Sequence, residues 1–370
     1  MVAGTSRAAV AIGDHAFRID ELPLPEIGES DGLLRVEACG VCGSDLNKYA
    51  VTGMPPTVLG HETVGRVERM GRIAAERWGV EVGDRVLLEE YLPCGHCAYC
   101  RSGEYRSCRE TELGEQGAVR YGSTPVSIAP GLWGGYSRFL YLHHRSVLHR
   151  VPDGVPPHHA TFALPLSNGI QWMQYDAGAG PGQTVVIQGP GQQGVACLLA
   201  ARAAGVRTVV VTGLTRDADR LARAVRLGAD AAVDVQTEDV ASIVEKMSAG
   251  RMADVAIDCT GGGAATFNTS IAAVRRRGTV VVASKPRRSA VPAVADLAAV
   301  QRKQLTVLGV RGHSFQAVRA ALGLIGSGAV GHLDEVCAPP VALDEIGDAF
   351  ALTAGTRKGD ALHASVAPWR

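Results

Sequence analysis

TVVIQGPGQQGVACLLAARAAG, residues 184–205, joins a short apolar run to a glycine-rich turn and then to an alanine-rich run with helical periodicity. The turn, Gly189 to Gly194, has the spacing G-x-G-x-x-G. Its first glycine permits the sharp turn, the second lets the backbone approach a pyrophosphate, and the third allows close helix–strand packing. The helix that follows offers free N–H groups and a positive partial charge to phosphates. The motif carries weight because a strand precedes it and a helix follows it. It predicts a dinucleotide site with Gly189, Gly191, Gln192, Gln193 and Gly194 around the phosphates.

The same rhythm continues outward. TVVVTG, DVAIDCTG and TVVVAS are further short apolar strands, and DADRLARAVRLGA between two of them is helical. Alternation of this kind means βαβ units and a parallel sheet covered on both faces, an α/β arrangement. The second strand reads VVVTGLTRDADR, with Gly213 where an NAD-type site would carry an acid. An acidic residue there binds the ribose hydroxyls and repels a 2′-phosphate, whereas glycine leaves space and Arg216, beside Thr215, can pair with that phosphate. Asp217 and Asp219 offset part of its charge. The expectation is NADP in preference to NAD, with Ser284, Lys285 and Val310 completing the cofactor set.

The chain before this region is of another kind. LLRVEACG, TVGRVERMG, GDRVLLEEY and SRFLYL are short strands separated by Gly and Pro, as in an irregular β domain. Beyond about residue 312 the pattern is mixed, with a helix expected at SFQAVRAALGLIGSG and a short terminal strand at DALHASVAP. The sequence therefore reads as one domain interrupted by another: 1–165 with 313–370, and 166–312 between them. A length of 370 residues suits two domains.

Thirty-seven basic residues balance thirty-seven acidic ones, so no net field draws the chain to nucleic acid or to an anionic membrane. No uncharged apolar run reaches membrane-spanning length, and the first residues lack a basic-then-apolar leader pattern. The cytoplasm is the expected compartment. Clustered thiols are metal ligands there more often than disulfides.

Four of the nine cysteines lie in CGHCAYCRSGEYRSC. Cys94, Cys97, Cys100 and Cys108, spaced C-x2-C-x2-C-x7-C, can bring four thiolates to one tetrahedral zinc and leave no open position, which makes the site structural. A zinc ribbon gripping nucleic acid is disfavoured by the neutral chain and by Glu104 in the loop. A second set lies upstream in CGVCGSD and VLGHETVG. Cys42, His61 and Glu62 offer sulfur, nitrogen and oxygen to an open zinc site. Asp45 can accept the second N–H of His61 and fix its tautomer, and Ser44 can touch both a substrate oxygen and the cofactor ribose. Cys39 reads as a small core residue.

These motifs, with PPTVLGHETVG, VEVGDRV, GGYSRFL, GPGQQG and RLGADAAVD in this order, resemble the zinc-dependent medium-chain dehydrogenase/reductase family over essentially the whole length. The resemblance implies a GroES-like β-rich catalytic domain, split in sequence by a Rossmann domain, with a structural zinc lobe at about 92–110. It implies Cys42 and His61 as catalytic zinc ligands, Glu62 as a direct or exchanging ligand, and Ser44 as the first hydroxyl of a proton relay. Homodimers or homotetramers are usual. The implied reaction is hydride transfer between a secondary alcohol, cyclic or polyhydroxylated among the candidates, or its ketone, and NAD(P).

Three positions depart from the pattern. Leu164, in FALPLSNG, stands where a further ligating group is general. Asn47 stands where many alcohol dehydrogenases carry a relay histidine, with Lys48 as a conceivable substitute or simply a solvated lysine. Gly213 replaces the NAD-selecting acid. Tyr91 and Trp133 are either substrate-side residues or aromatic core. The alternative is a zinc-independent NADPH enone or alkene reductase of the same superfamily, which leaves Cys42, Asp45, His61 and Glu62 unexplained as a group. A non-catalytic nucleotide-binding protein is a third expectation.

Overall fold

The structure, a computed structural model, describes residues 4–112, 114–115, 117–285, 293–357 and 362–370. The chain divides into two compact units, one formed by residues 1–164, 322–327 and 333–370, the other by 165–321 and 328–332. The sequence reading set the return to the first unit at residue 313. Residues 313–321 group instead with the second, and the return to the first falls inside the helix Phe315–Gly326.

The first unit is built on antiparallel strands. Gly32–Gly40 pairs with Glu62–Met70, which pairs with Arg85–Leu88, which pairs with Leu148–Arg150. Phe139–Leu142 and Ser365–Val366 also pair with Gly32–Gly40. A three-stranded sheet is formed by Ala16–Pro23, Thr5–Gly13 and Thr57–Val58. Alternate residues Leu34, Val36, Val86, Leu88 and Leu140 point into one core with Tyr136 and Phe350. The terminal strand is shorter than DALHASVAP suggests: only Ser365–Val366 is extended in the sheet, and residues 360 and 361 lie outside the described residues.

Register positions the chemistry. Cys39 is opposite Thr63 and Gly40 opposite Glu62. Cys42, two residues past the end of its strand, therefore lies beside His61, one residue before the start of the other. Residues far apart in sequence meet because two strand ends coincide.

The second unit holds a six-stranded sheet in the order Ala231–Asp234, Thr208–Gly213, Thr184–Gln188, Ala253–Asp258, Val274–Val282, Thr306–Gly309, with every pair parallel. In chain order this is 3-2-1-4-5-6, the doubly wound Rossmann arrangement, whose ligand crevice lies at the carboxyl ends of the strands where the order reverses. Ala231–Asp234 and Thr306–Gly309 were not singled out as strands from sequence, since each offers only four residues and one ends in a charge. Among the described residues no helix is long and apolar enough to cross a membrane.

Candidate functional site

Cys42 stands at the N-cap of the helix Gly43–Tyr49. Asp45, in the first turn and fully buried, accepts the Cys42 N–H at 3.1 Å through Oδ2. The Tyr136 hydroxyl lies 3.0 Å from the same oxygen and 3.1 Å from the Gly40 carbonyl. The other oxygen, Oδ1, faces His61 Nδ1 at 3.3 Å without a hydrogen bond of good geometry, and among the described residues neither atom has a hydrogen-bond partner. Asp45 thus holds the Cys42 backbone and occupies the Nδ1 face of His61. Cys42, His61 and Glu62 present one ligand atom each within 4.8 Å of one another.

Buried Asp45 and Glu62 and partly buried Glu90 all act on the imidazole of His61. Burial pushes the Glu62 carboxyl up to about 8 against the pull of His61, and Asp45 and Glu90 add to the rise. Burial works against a charged His61, but Asp45 and Glu90 outweigh it and raise its pKa well above the usual range. Burial likewise opposes the ionised Glu90, yet Arg120, 2.5 Å away, together with His61 brings it below the usual carboxylate range. Sulfur, nitrogen and oxygen donors converging on one point fit a borderline-soft divalent ion such as zinc.

Ser44 and Asn47 lie exposed on the same short helix. Lys48 is partly buried, and its ammonium donates to the Gly122 carbonyl at 2.8 Å and to Ser123 Oγ. That fastens a turn packed against Gly60 and His61. Leu164 is buried, on the helix Ala163–Ile170. Tyr91 and Trp133 are core residues. Tyr91 lies under the Arg120 guanidinium and against the Tyr105 ring, and Trp133 donates to the Ile128 carbonyl and packs on Tyr121 and Tyr141. Cys39 is buried beside Thr63, as a small core residue would be.

The second cluster is equally compact. Cys94, Cys97, Cys100 and Cys108 bring their sulfurs within 4.8 Å of one another, with Cys94 and Cys100 at 3.9 Å. Sulfurs around tetrahedral zinc at about 2.3 Å lie about 3.8 Å apart. Backbone N–H groups of Cys94, Cys97 and Cys100 point at sulfurs of the set, at 3.4, 3.3 and 3.5 Å, as they do toward thiolates. The lobe is tied to the sheet by a buried triad that sequence reasoning missed. The Tyr105 hydroxyl donates to Glu89, whose Oε1 is also 2.6 Å from His149 Nε2. Its one visible signal was the pair of acids ending the apolar run of GDRVLLEEY.

In the parallel-sheet unit, Gly189 has φ +101°, a left-handed conformation that favours glycine. A Cβ on Gly194 would fall 1.8 Å from the Gly189 carbonyl oxygen, while one on Gly191 would meet nothing within 4 Å. One glycine turns, one packs and one leaves its backbone open. Gln192 begins the helix Gln192–Ala203. Gln193 is used inward, on the Pro165 carbonyl and Asn168.

Gly213 ends the second strand opposite Asp234. The space it was expected to leave is partly taken, since a Cβ there would lie 3.0 Å from the Pro190 ring and 3.2 Å from Leu221. Thr215 Oγ1 donates to Asp234, and Asp217 accepts the Leu214 N–H. Arg216 is exposed and has no ion pair among the described residues. Ser284 and Lys285 follow Val274–Val282, and Val310 follows Thr306–Gly309, so the whole expected cofactor set lies at carboxyl ends of parallel strands.

The sequence matches the alcohol dehydrogenase GroES-like domain over residues 28–153 and the zinc-binding dehydrogenase domain over residues 194–327. It is 42% identical over 360 residues to a probable alcohol dehydrogenase of Mycobacterium tuberculosis, covering 95% of each chain. The chain belongs to the zinc-type medium-chain dehydrogenase/reductase family. Within that family it is 32% identical over 267 residues to the erythritol/L-threitol dehydrogenase of Mycolicibacterium smegmatis, covering 69% of this enzyme and 70% of that one. A zinc-binding dehydrogenase target from Sinorhizobium meliloti 1021, solved bound to NADP, superposes on the enzyme with a TM-score of 0.82 at 26% identity, over 99% of this chain and 100% of that one.

Proposed function

We propose that the enzyme transfers hydride between a secondary alcohol, or its ketone, and NADP(H), with one zinc held by Cys42, His61 and Glu62 and a second by the four-cysteine lobe. The observation that carries this reading is the convergence of Cys42, His61 and Glu62 within 4.8 Å, with Asp45 behind the imidazole. When bound there, zinc supplies Lewis acidity that lowers the pKa of the alcohol and stabilises the alkoxide. The protein groups do the rest. Asp45 occupies Nδ1 of His61 and so reserves Nε2 for coordination. Ser44, exposed on the adjoining turn, would take the hydroxyl proton and pass it outward, while Asn47 cannot exchange a proton at neutral pH.

The relatives named for sorbitol, erythritol/L-threitol and L-idonate favour a polyhydroxylated substrate. A cytoplasmic homodimer or homotetramer completes the proposal. The reducing compartment suits four clustered thiols. Leu164 favours the zinc-independent enone reductase as the second reading. Elemental analysis of protein purified without added metal separates the two. Two zinc ions per chain and turnover of polyols are expected; one zinc, with reduction of enones, overturns the proposal.

The NADP preference rests on exposed Arg216 and on the missing acid at Gly213. Arg216→Ala is expected to lower kcat/KM for NADP about 10- to 100-fold, the loss of a charge-assisted hydrogen bond, and to leave NAD nearly unchanged. Equal effects on both cofactors, measured with a common alcohol, would remove Arg216 from phosphate recognition.

A further inference from the structure

A third group of metal-capable side chains lies apart from both clusters. His158 and His159 stand on the short helix Pro157–Ala160, and Asp334 on Leu333–Val336. Each offers a ligand atom within 4.8 Å of the others. The helix is well anchored: Pro156 and Pro157 set its start, and the Thr161 hydroxyl donates to the His158 carbonyl at 2.8 Å. Thr161 Oγ1 also lies 2.7 Å from buried His363 Nε2, so the turn carrying both histidines is fixed from below.

The three side chains differ usefully in freedom. His159 is 12% exposed, and its buried Nε2 faces Asp334 Oδ1 at 3.1 Å without forming a hydrogen bond of good geometry. Asp334 is 94% exposed and can turn without disturbing any packing. The His158 ring centroid lies 4.3 Å from that of His159. Donors around a tetrahedral ion at about 2.0–2.1 Å stand about 3.4 Å apart, so a small rotation of Asp334 and His158 closes the set. The cation that acts on His158, Arg370, is held by the Pro340 carbonyl.

We propose that His158, His159 and Asp334 form a surface site for a divalent transition-metal ion. Two imidazoles and one carboxylate select zinc, nickel or copper over calcium and magnesium, which prefer all-oxygen sets. Solvent completes the coordination sphere, and the ion exchanges with the medium. A plain His159–Asp334 ion pair would explain two of the three residues and leave His158 without a part.

Titration calorimetry of the zinc-loaded enzyme with Ni²⁺ tests the site, and its readout is bound nickel, independent of turnover. The parent is expected to take up nickel at this site. His158→Ala is expected to weaken that binding about 100-fold and Asp334→Asn about 10-fold. Both substituted residues are at least partly exposed, and an unchanged unfolding midpoint without nickel verifies their folds. Nickel binding that His158→Ala leaves intact, whether or not Asp334→Asn alters it, overturns the proposal, as does a parent that binds none.

Discussion

Cys42→Ala is expected to reduce the zinc content from two ions per chain to one and alcohol turnover by about 1,000-fold or more. The residue has two neighbours of different kinds. Its side chain is the only sulfur in the set with His61 and Glu62, while its backbone N–H is held by Asp45. Substitution by alanine removes the sulfur and keeps the backbone bond, so the helix Gly43–Tyr49 retains its start. What remains is one imidazole and one carboxylate, too few protein ligands for a catalytic zinc site, which ordinarily has three. Loss of Lewis-acid stabilisation worth several kcal/mol corresponds to three or more powers of ten in rate. Elemental analysis and kcat/KM, taken on the same preparation, check both halves. If the parent holds one zinc and Cys42→Ala holds the same one, the cluster at Cys42 is not metallated, and Leu164 marks a reductase that works without metal.

Much of this arrangement is legible in the sequence because it depends on local constraints. The glycine loop is the clearest case. A left-handed φ at Gly189 and a backbone approach at Gly194 are demands that only glycine meets, so residue type alone reports geometry. The cysteine lobe is legible for the same reason, since two-residue spacers bring thiolates to one point with little help from the rest of the chain. What could not be read depends on tertiary pairing. Tyr136 reaches Asp45 across 91 residues, and His149 reaches Glu89 across 60. Neither spacing has a periodicity that would reveal it. Lys48 illustrates the limit from the other side. Its charge suggests solvent or a relay, and only the fold brings the Gly122 carbonyl and Ser123 to its ammonium. Gly213 is partly misleading, because an absent side chain implies empty space until Pro190 and Leu221 are seen to press on it.

Cys100→Ser is expected to act on stability and to spare the reaction. The lobe from Cys94 to Cys108 has little regular structure of its own. Its α-helix, Ala98–Arg101, is four residues long and buries none of them, and Tyr99 is 52% exposed. So short a helix does not persist on its own propensity. In the fold the lobe touches the sheet through Tyr105 on Glu89 and through Thr111, which accepts the Leu92 N–H. Those contacts lie at its C-terminal end, and the stretch before them is closed by the four sulfurs. Removing one opens a tetrahedral site whose binding energy is folding energy. A loss of about 4 kcal/mol or more is in the range for a structural metal, and it corresponds to an unfolding midpoint lower by about 10 °C. The expected pattern is therefore one zinc fewer, a lower midpoint, and proteolytic cleavage confined at first to the lobe. Turnover per folded chain stays within about twofold at low temperature, because no open coordination position is lost. Scanning calorimetry, elemental analysis and limited proteolysis on one preparation distinguish this from a catalytic role. Loss of turnover with zinc content and midpoint unchanged would place the lobe in the reaction, and the two clusters would then have to be read as parts of one site.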